Sequence, residues 1–402
     1  MCANPVLTDA SGLSGSERKR DRKERCRMKK ENKLPADKSA GKAADTAAGK
    51  AYLVLENGMI FEGSAFGYRG EVTAEVVFTT GMTGYLETLT DKSYFGQIVT
   101  QTFPLIGNYG LIPSDFEGDV VGPAGYIVKE WCQEPSNFRC EGDLDTFLKQ
   151  RKIVGLCGID TRALTKTIRE SGVMNGAIVT DPSHADFDAI KSYAVRDAVK
   201  SVSVKDMYTV GEGGKYKVAL LDFGFKENIC RELVRRGANV VVCPCGTTAG
   251  LLKAIGVDGI MLSNGPGDPA ENTDIINNLK EIIRLDIPTF GICLGHQLTA
   301  LANGFRTEKL KYGHRGANQP VKNLETGRVY ISSQNHGYAV VSSSIDKSIA
   351  EELFINVNDG TNEGIRYTNH PVYTVQFHPE ACGGPKDAGW LFDEFFKMMD
   401  KA

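Results

Sequence analysis

The sequence predicts an α/β protein whose C-terminal part forms a doubly wound, mainly parallel sheet. From residue 215 onward, short apolar strands alternate with helical segments, the pattern of βαβ units with both sheet faces covered. Before residue 200, strands come first and helices follow, which predicts an α+β, strand-rich N-terminal domain. Residues 1–50 lack hydrophobic periodicity and predict a disordered basic head.

The composition is that of a globular protein of two or three domains. The chain has 402 residues, of which 41% are hydrophobic and 24% charged, and its formal net charge is −3. No apolar run approaches the roughly 20 residues that span a bilayer, so we do not expect a membrane protein. The near-neutral charge argues against a dedicated nucleic-acid binder, whose affinity rests on a basic surface.

The head differs from the rest of the chain in charge. Residues 1–50 hold 13 Lys and Arg against 7 Asp and Glu, whereas residues 51–402 hold 34 against 43, a net charge of −9. Two interpretations stay open: a nucleic-acid or targeting arm, or a segment without function, which is either a solvated tail or an extension upstream of the natural start. We favour the second, and Asp21, Glu24 and Glu31 argue against a transit peptide.

The ten cysteines do not form a metal-binding or disulfide pattern. There is no Cys-x-x-Cys pair and no Cys/His cluster with ligand spacing, so no structural metal site is predicted. The start of the chain has no apolar signal-peptide core, and we therefore expect the protein in the reducing cytoplasm.

The N-terminal domain is predicted over residues 51–200. Asn57-Gly58 between two strand-like runs indicates a hairpin, and residues 71–80 predict a further strand. Helical spacing follows, and a short strand is expected before the last helix. The expected elements are helices at 142–151, 161–171 and 186–198 and a strand at 177–179. Residues 201–214 have weak periodicity and end in Gly-Glu-Gly-Gly, which predicts a linker.

The C-terminal domain is predicted over residues 215–402. Strands are expected at 218–223, 238–244, 259–263, 287–292, 328–332, 339–341, 364–368 and 372–377. Helices are expected at 226–236, 249–255, 272–285, 294–302 and 388–399.

The sharpest chemical feature is Cys293, which stands between a buried strand and a helix. Glycines at positions 291 and 295 flank it, as in a nucleophile elbow, where the side chain projects above the carboxyl edge of the sheet. The N-terminus of the following helix favours a thiolate. Taken alone, a cysteine in an apolar strand is usually a packing residue.

A basic partner for this thiol is expected in Gln376-Phe377-His378-Pro379-Glu380. His378 follows an apolar strand that should lie in or beside the same sheet, and Pro379 restrains the turn so that Glu380 can accept from the imidazole. These three residues, Cys293, His378 and Glu380, are the predicted catalytic residues. His296, one turn past the cysteine, is interpreted as a packing residue or as one that supports the catalytic residues from behind.

The loop 263–269, Ser-Asn-Gly-Pro-Gly-Asp-Pro, follows the preceding strand and should open on the same edge. Its glycines let backbone N–H groups approach a substrate oxygen, and together with the Leu294 N–H they could form an oxyanion hole. Each feature alone has an ordinary structural explanation, but three of them converging on one sheet edge favour the catalytic interpretation. Asp222-Phe223-Gly224 resembles a kinase motif, but no kinase catalytic loop accompanies it.

The three C-terminal motifs together resemble the triad-type glutamine amidotransferases over about residues 215–402. The N-terminal half adds segments that are similar to those of carbamoyl-phosphate synthetase small subunits, namely Gly70–Tyr94, Gln97–Gly110 and Gly158–Glu170. The resemblance runs from about Tyr52 to the C-terminus and leaves the head outside.

The resemblance implies that Cys293 attacks the carboxamide of L-glutamine and that the ammonia passes to a large synthetase subunit. That subunit would bind ATP and Mg²⁺, use bicarbonate and make carbamoyl phosphate for arginine and pyrimidine synthesis. No cofactor is expected in this chain, and the complex would be a heterodimer or an oligomer of heterodimers. A stand-alone γ-glutamyl hydrolase and a non-catalytic regulatory subunit are the alternatives. By the family pattern, the glutamine contacts fall on Ser93, Gly265, Gly267, Leu294, Gln297, Asn335, Gly337 and Tyr338.

Overall fold

The computed structural model describes residues 49–119, 122–381 and 383–401. The predicted disordered head therefore lies outside the described residues, except for Gly49 and Lys50. In the described part of the chain, no helix is both long and apolar enough to cross a membrane.

The N-terminal domain is built on a closed barrel. The strands of this half are β1 (Lys50–Leu55), β2 (Ile60–Gly67), β3 (Val72–Thr79), β4 (Gln97–Gln101), β5 (Leu105–Ile106), β6 (Gly125–Val128), β7 (Glu130–Trp131), β8 (Val154–Cys157) and β9 (Met174–Val179). Of these, β5 and β7 form a separate two-stranded sheet, and the other seven form the barrel. The barrel order is β1-β2-β8-β6-β4-β3-β9, and β9 pairs back onto β1. The helices of this half are α1 (Tyr85–Thr90), α2 (Leu144–Arg151), α3 (Thr161–Ser171), α4 (Phe187–Ser192) and α5 (Ala198–Val202).

Side chains alternate between the two faces of each barrel strand, and both faces are packed against apolar residues. In β3, Val76 and Val77 point to opposite faces, and each belongs to a different fully buried apolar cluster. Leu164 and Ile168 of α3 cover one of these clusters. The hairpin between β1 and β2 forms at Asn57-Gly58 as predicted, and Gly58 has the positive φ of 86° that this turn requires.

The strands β4 to β8 were not predicted, and two N-terminal predictions differ from the structure. The helix expected at 186–198 ends at Ser192 because Tyr193 is held elsewhere: its hydroxyl donates to the Gly96 carbonyl (2.6 Å), and its own carbonyl accepts from Asn175 (3.0 Å). The expected linker at 201–214 contains a strand, β10 (Tyr208–Val210), which pairs with the C-terminal sheet. Three largely exposed residues at a sheet edge show no hydrophobic period, so the sequence did not indicate this strand.

The C-terminal domain is a sheet in the order β10-β12-β11-β13-β14-β19-β18-β17-β15-β16. The strands after β10 are β11 (Tyr216–Asp222), β12 (Ala238–Pro244), β13 (Gly259–Leu262), β14 (Thr289–Ile292), β15 (Thr307–Asn323), β16 (Val329–Val340), β17 (Ala350–Asn356), β18 (Asn362–Tyr367) and β19 (Val372–Val375). The helices are α6 (Glu227–Arg235), α7 (Ala249–Ile255), α8 (Thr273–Ile283), α9 (Leu294–Ala302) and α10 (Trp390–Met399).

The run from β12 to β19 is parallel, and the remaining pairs are antiparallel. The predicted α/β fold class is confirmed. The antiparallel extension is larger than expected, since β15 and β17 were missed and β16 joins two expected strands into one. In the middle of β16, Gln334, Asn335 and His336 are polar and yet buried, which interrupts the apolar pattern that a sequence analysis relies on.

Candidate active site

Cys293 occupies a sharp turn between β14 and α9 at the carboxyl edge of the parallel strands. Its φ of 52° is positive, a conformation that is uncommon for a residue with a side chain, and its N–H donates to the Val375 carbonyl of β19 (2.8 Å). The flanking glycines are required by space. A Cβ on Gly295 would lie 2.4 Å from the Leu262 carbonyl oxygen, and one on Gly291 would lie 2.8 Å from Thr374 Cγ2. The predicted elbow is therefore the geometry that the chain adopts.

The thiol of Cys293 is enclosed, with only 2% of the residue exposed. The amide of Gln376 approaches the sulfur at 3.6 Å, and the Asn335 carbonyl lies at 3.7 Å. Burial raises the pKa of this thiol to about 12, although Lys226 and the Leu294 N–H act in the opposite direction. The resting group is thus a neutral thiol, not the thiolate that the helix start suggested, because desolvation outweighs the helix terminus. It needs a base to become a nucleophile.

His378 and Glu380 provide a buried base and its partner. β14 and β19 pair in parallel with Ile292 opposite Val375, so that Cys293 and His378 leave neighbouring strands at the same edge. His378 Nδ1 lies 2.7 Å from Glu380 Oε1, and both side chains are fully buried. In the neutral imidazole with its Nδ1 proton directed at the carboxylate, Nε2 is the acceptor, and this atom has no hydrogen-bond partner among the described residues.

Glu380 stays ionised in this position. Burial opposes its charge, but His378 and Lys226 hold the pKa of its carboxyl below the ordinary value. An ionised carboxylate on Nδ1 fixes the tautomer of the imidazole and stabilises the imidazolium that forms when Nε2 takes a proton.

A cavity of about 460 Å³ opens beside Cys293. Seven of the eight residues predicted to contact glutamine line it, namely Ser93, Gly265, Gly267, Gln297, Asn335, Gly337 and Tyr338. Leu294 does not line it with its side chain, which packs in the apolar core, but its N–H faces the Cys293 sulfur. Gln297 donates to the Tyr338 carbonyl (2.8 Å) and to Gln376 Oε1 (3.0 Å), which fixes one wall of the cavity.

The cavity is shared between the barrel and the sheet. Ser93, in a short turn after α1, accepts a hydrogen bond from Asn264 of the glycine loop (2.9 Å). Asp91 accepts from the Asn335 amide (3.0 Å), and its other oxygen accepts from the Ser93 N–H (2.8 Å). The two halves of the chain thus meet through named polar contacts at the site.

Sequence reasoning missed a buried charge cluster that interacts with Cys293 and Glu380. Lys226 Nζ lies 3.2 Å from Asp91 Oδ2, and Glu117 and Glu380 also interact electrostatically with this ammonium group. Burial raises the pKa of Glu117 to about 7, and its carboxylate accepts from the Asn228 N–H (3.0 Å). Lys226 directly follows the Asp222-Phe223-Gly224-Phe225 segment. No signal in the sequence distinguishes it from an exposed lysine at a helix start.

Asp222 itself is structural. Its buried carboxylate accepts from the N–H groups of Gly224 and Phe225 (both 2.8 Å) and from that of Val204 (2.8 Å). The apparent kinase motif is therefore a turn whose backbone donors are satisfied by one aspartate. His296, likewise, packs inside: its Nδ1 lies 2.8 Å from Thr374 Oγ1, and burial lowers its pKa to about 3.

One group of side chains has metal-ligand character. Atoms of His314, His336 and Glu363 lie within 4.8 Å of one another and are buried. His314 lies 2.8 Å from Asp359 and 3.5 Å from Glu363. Although burial opposes its charge, these two carboxylates raise its pKa. The ring nitrogens of His336 are engaged by the Tyr338 carbonyl and the Gln334 side chain. His314 thus lies between two carboxylates that favour its charged form.

Replacement of Lys226 by methionine is expected to destabilise the fold by about 3–5 kcal/mol, because it leaves buried carboxylates without their cation. The pKa values of those carboxyls should rise, so that the folded state binds more protons than the unfolded state and stability falls as pH rises from about 4.5. Urea denaturation of both proteins at pH 5 and pH 8 measures this.

The matched control for this prediction is Lys205→Met, at an exposed lysine, which should change stability by less than about 0.5 kcal/mol. Equal stability of Lys226→Met and the wild type at pH 8 would show that the buried ammonium group is not needed.

Two family models match the chain in consecutive stretches. Residues 219–398 match the one described as Glutamine amidotransferase class-I, and residues 53–178 match the one described as Carbamoyl-phosphate synthase small chain, CPSase domain. The fold and the cysteine elbow thus place the C-terminal part in the class-I amidotransferases.

Curated relatives extend the match through both parts. The carbamoyl phosphate synthase small chain of Clostridium perfringens (strain 13 / Type A) is 52% identical over 350 residues, which cover 87% of this chain and 99% of that protein. That of Bacillus anthracis is 51% identical over 353 residues, with 87% and 96% covered. That of Syntrophotalea carbinolica is 49% identical over 371 residues, with 88% and 98% covered. The chain belongs to the carbamoyl phosphate synthase small chain family, which confirms the resemblance seen in its motifs.

Proposed function

We propose that this chain hydrolyses L-glutamine and delivers the ammonia to a separate large chain that makes carbamoyl phosphate. The observation that carries the proposal is the arrangement at the sheet edge. A cysteine in an elbow lines a 460 Å³ cavity, and a His–Glu pair with a free acceptor nitrogen leaves the neighbouring strand. This is the arrangement that acyl transfer through a covalent intermediate requires.

In the first half-reaction, the Cys293 sulfur forms a bond to the side-chain carbonyl carbon of glutamine while its proton moves to His378 Nε2. The oxyanion that develops takes hydrogen bonds from the Leu294 N–H and from the glycine loop at 265–267. The carbon–nitrogen bond then breaks, and the imidazolium of His378 gives its proton to the leaving nitrogen. Ammonia and a γ-glutamyl thioester on Cys293 are the products.

In the second half-reaction, a water molecule attacks the thioester and His378 Nε2 accepts its proton. The carbon–sulfur bond breaks, the thiol recovers the proton and glutamate leaves. Glu380 stays ionised throughout and stabilises the imidazolium in both halves. Because the thiol starts neutral, the first proton transfer to His378 is part of the reaction and not a property of the resting enzyme.

The cavity fits the polar ends of a free amino acid. Ser93, Gln297 and Asn335 supply a hydroxyl and amide groups, and Gly265 and Gly267 allow a close approach of the backbone. Only glycine fits at position 265, because a Cβ there would lie 2.1 Å from the Phe223 carbonyl oxygen. Glutamine would thus be held between the barrel and the sheet.

The synthetase chemistry belongs to the partner in this proposal. The partner would bind ATP, Mg²⁺ and bicarbonate, would assemble with this chain as a heterodimer or an oligomer of heterodimers, and would work in the cytoplasm. Carbamoyl phosphate would then serve arginine and pyrimidine synthesis. No cofactor is assigned to this chain.

The test is ammonia release from glutamine by the purified chain, measured with and without the large chain. We expect slow hydrolysis alone and an acceleration of about tenfold or more in the complex. Co-purification of the two chains provides the control for assembly. Full turnover alone, with no stable complex, would instead support a stand-alone γ-glutamyl hydrolase, and no turnover in either state would support a non-catalytic subunit.

A further inference from the structure

A cleft of about 750 Å³ lies on the barrel side of the molecule, where α3 faces the ends of β3 and β4. Arg162, Lys166 and Arg169 line it and are spaced four and three residues apart, which places them on one face of α3. Glu170 is the only acidic residue of the lining in the described chain. This is a cationic surface on a part of the chain, residues 51–402, whose net charge is −9.

The cations of this cleft are not neutralised within the described fold. The guanidinium groups of Arg162 and Arg169 have no hydrogen bond or ion pair with another described residue, and the Lys166 ammonium group has only an exposed contact of 3.8 Å with Glu170. Three like charges on one helix face repel one another. An anionic group placed in the cleft would remove that repulsion.

Exposed apolar side chains lie within three residues, along the chain, of Thr80 and Thr102, which line the cleft. Met82 is 73% exposed, Phe103 36% and Leu105 39%. The loops that carry them run side by side, because Gln101 Nε2 donates to the Gly81 carbonyl (2.9 Å). Exposed apolar residues beside arginines are the composition of a protein–protein interface.

The cleft and the glutamine cavity share one wall. Tyr312 lines both, in the irregular part of β15 where its pairing with β16 shifts register between Lys309 and His314. The Tyr312 carbonyl accepts from the Arg315 guanidinium (2.6 Å), and Arg315 also lines the glutamine cavity. Thr80, in the cleft, donates through its hydroxyl to the Arg315 carbonyl (3.2 Å). A group bound in the cleft would therefore contact Tyr312, which also lines the glutamine cavity.

We propose that this cleft receives an acidic segment of the large synthetase chain, and that Tyr312 transmits the docking to the glutamine cavity. The inference rests on the proposed function, since it concerns the same partner. A bound small anion would satisfy the arginines but leave Met82, Phe103 and Leu105 in water. A nucleic acid would face the negative charge of the rest of the domain. A protein segment with acidic and apolar side chains uses both parts of the surface.

Charge reversal at Arg169 tests the docking. Arg169→Glu should weaken the affinity of the full chain for the large chain by about tenfold or more, measured by titration calorimetry at low and at physiological salt, and should reduce the salt dependence. Its own glutaminase activity without the large chain should not change. Lys191→Glu, on α4 outside the cleft, is the matched control and should bind normally. An unchanged affinity of Arg169→Glu would overturn the proposal.

Replacement of Tyr312 tests the transmission. Tyr312→Ala should still form the complex, and at a saturating concentration of the large chain the ratio of glutaminase rates with and without the large chain should fall towards one. An unchanged ratio would refute the role of Tyr312. Titration of the wild type with inorganic phosphate tests the alternative of a small-anion site. Tight binding of phosphate, together with normal affinity of Arg169→Glu for the large chain, would identify an anion site instead. If the wild type shows neither complex formation nor glutamine hydrolysis, it is the proposed function that fails.

Discussion

Replacement of Cys293 by serine is expected to lower glutamine-dependent synthesis of carbamoyl phosphate by about 10³-fold or more, while synthesis from added ammonia continues. The hydroxyl of serine is a far weaker acid than a thiol, and burial at this position already disfavours ionisation of the sulfur. His378 would then have to remove a proton from a group that holds it much more tightly. The measurement is the rate of the complex with each nitrogen source.

The ammonia-dependent rate is the internal control, because it shows that the partner is folded and assembled with the variant. Cys245→Ser, at a half-buried cysteine outside the cavity, is the matched substitution and should retain both rates. Glutamine should still bind to Cys293→Ser, since the polar lining is intact. Full use of glutamine by this variant would mean that Cys293 is not the nucleophile.

Replacement of Glu380 by glutamine is expected to reduce kcat/KM for glutamine by about 10³–10⁴-fold with little change in glutamine affinity. The amide has the same shape, but it removes the charge that fixes the proton on His378 Nδ1 and stabilises the imidazolium. Steady-state kinetics and a binding titration with glutamine separate the two effects. Glu394→Gln, at an exposed glutamate of α10, is the control and should leave the kinetics unchanged.

The pH dependence provides a second check on Glu380. Because its pKa lies below the ordinary value of 4.5, the stability that its charge contributes is present above that value and is lost only as the pH falls further through the lower folded pKa. The wild type should therefore show no loss of activity or stability from this carboxyl above about pH 5. A loss that sets in above that pH in the wild type and is absent from Glu380→Gln would contradict the assigned direction.

The parallel half of the fold could be predicted because its strands are continuous apolar runs that end in glycine-rich turns. The same reasoning failed for β15 and β17. Much of β15 is exposed, and the buried part of its partner β16 carries Asn335 and His336, which line the cavity. A sheet that builds a polar site cannot show the hydrophobic pattern by which strands are recognised.

The order of the motifs along the chain was enough to place their residues at the carboxyl edge of the sheet. It was not enough to predict which distant residues contact them. Asp91 and Asn335 are 244 positions apart, and Ser93 and Asn264 are 171 apart. The role of Lys226 depends on Asp91 and Glu117 from the N-terminal half as well as on Glu380. The direction of the Cys293 pKa was also beyond the sequence, because burial depends on the closed structure and not on the helix start that a motif reveals.

The contacts of Asp91 and Ser93 with the C-terminal sheet bear on how such a chain can be cut and recombined. A gene fragment that encodes only the sheet would retain the cysteine, histidine and glutamate but would leave the Lys226 ammonium without Asp91 and Asn264 without its acceptor hydroxyl. The C-terminal half alone would therefore lack contacts that complete its site. A fusion of the C-terminal half to another protein would have to include residues equivalent to Asp91 and Ser93.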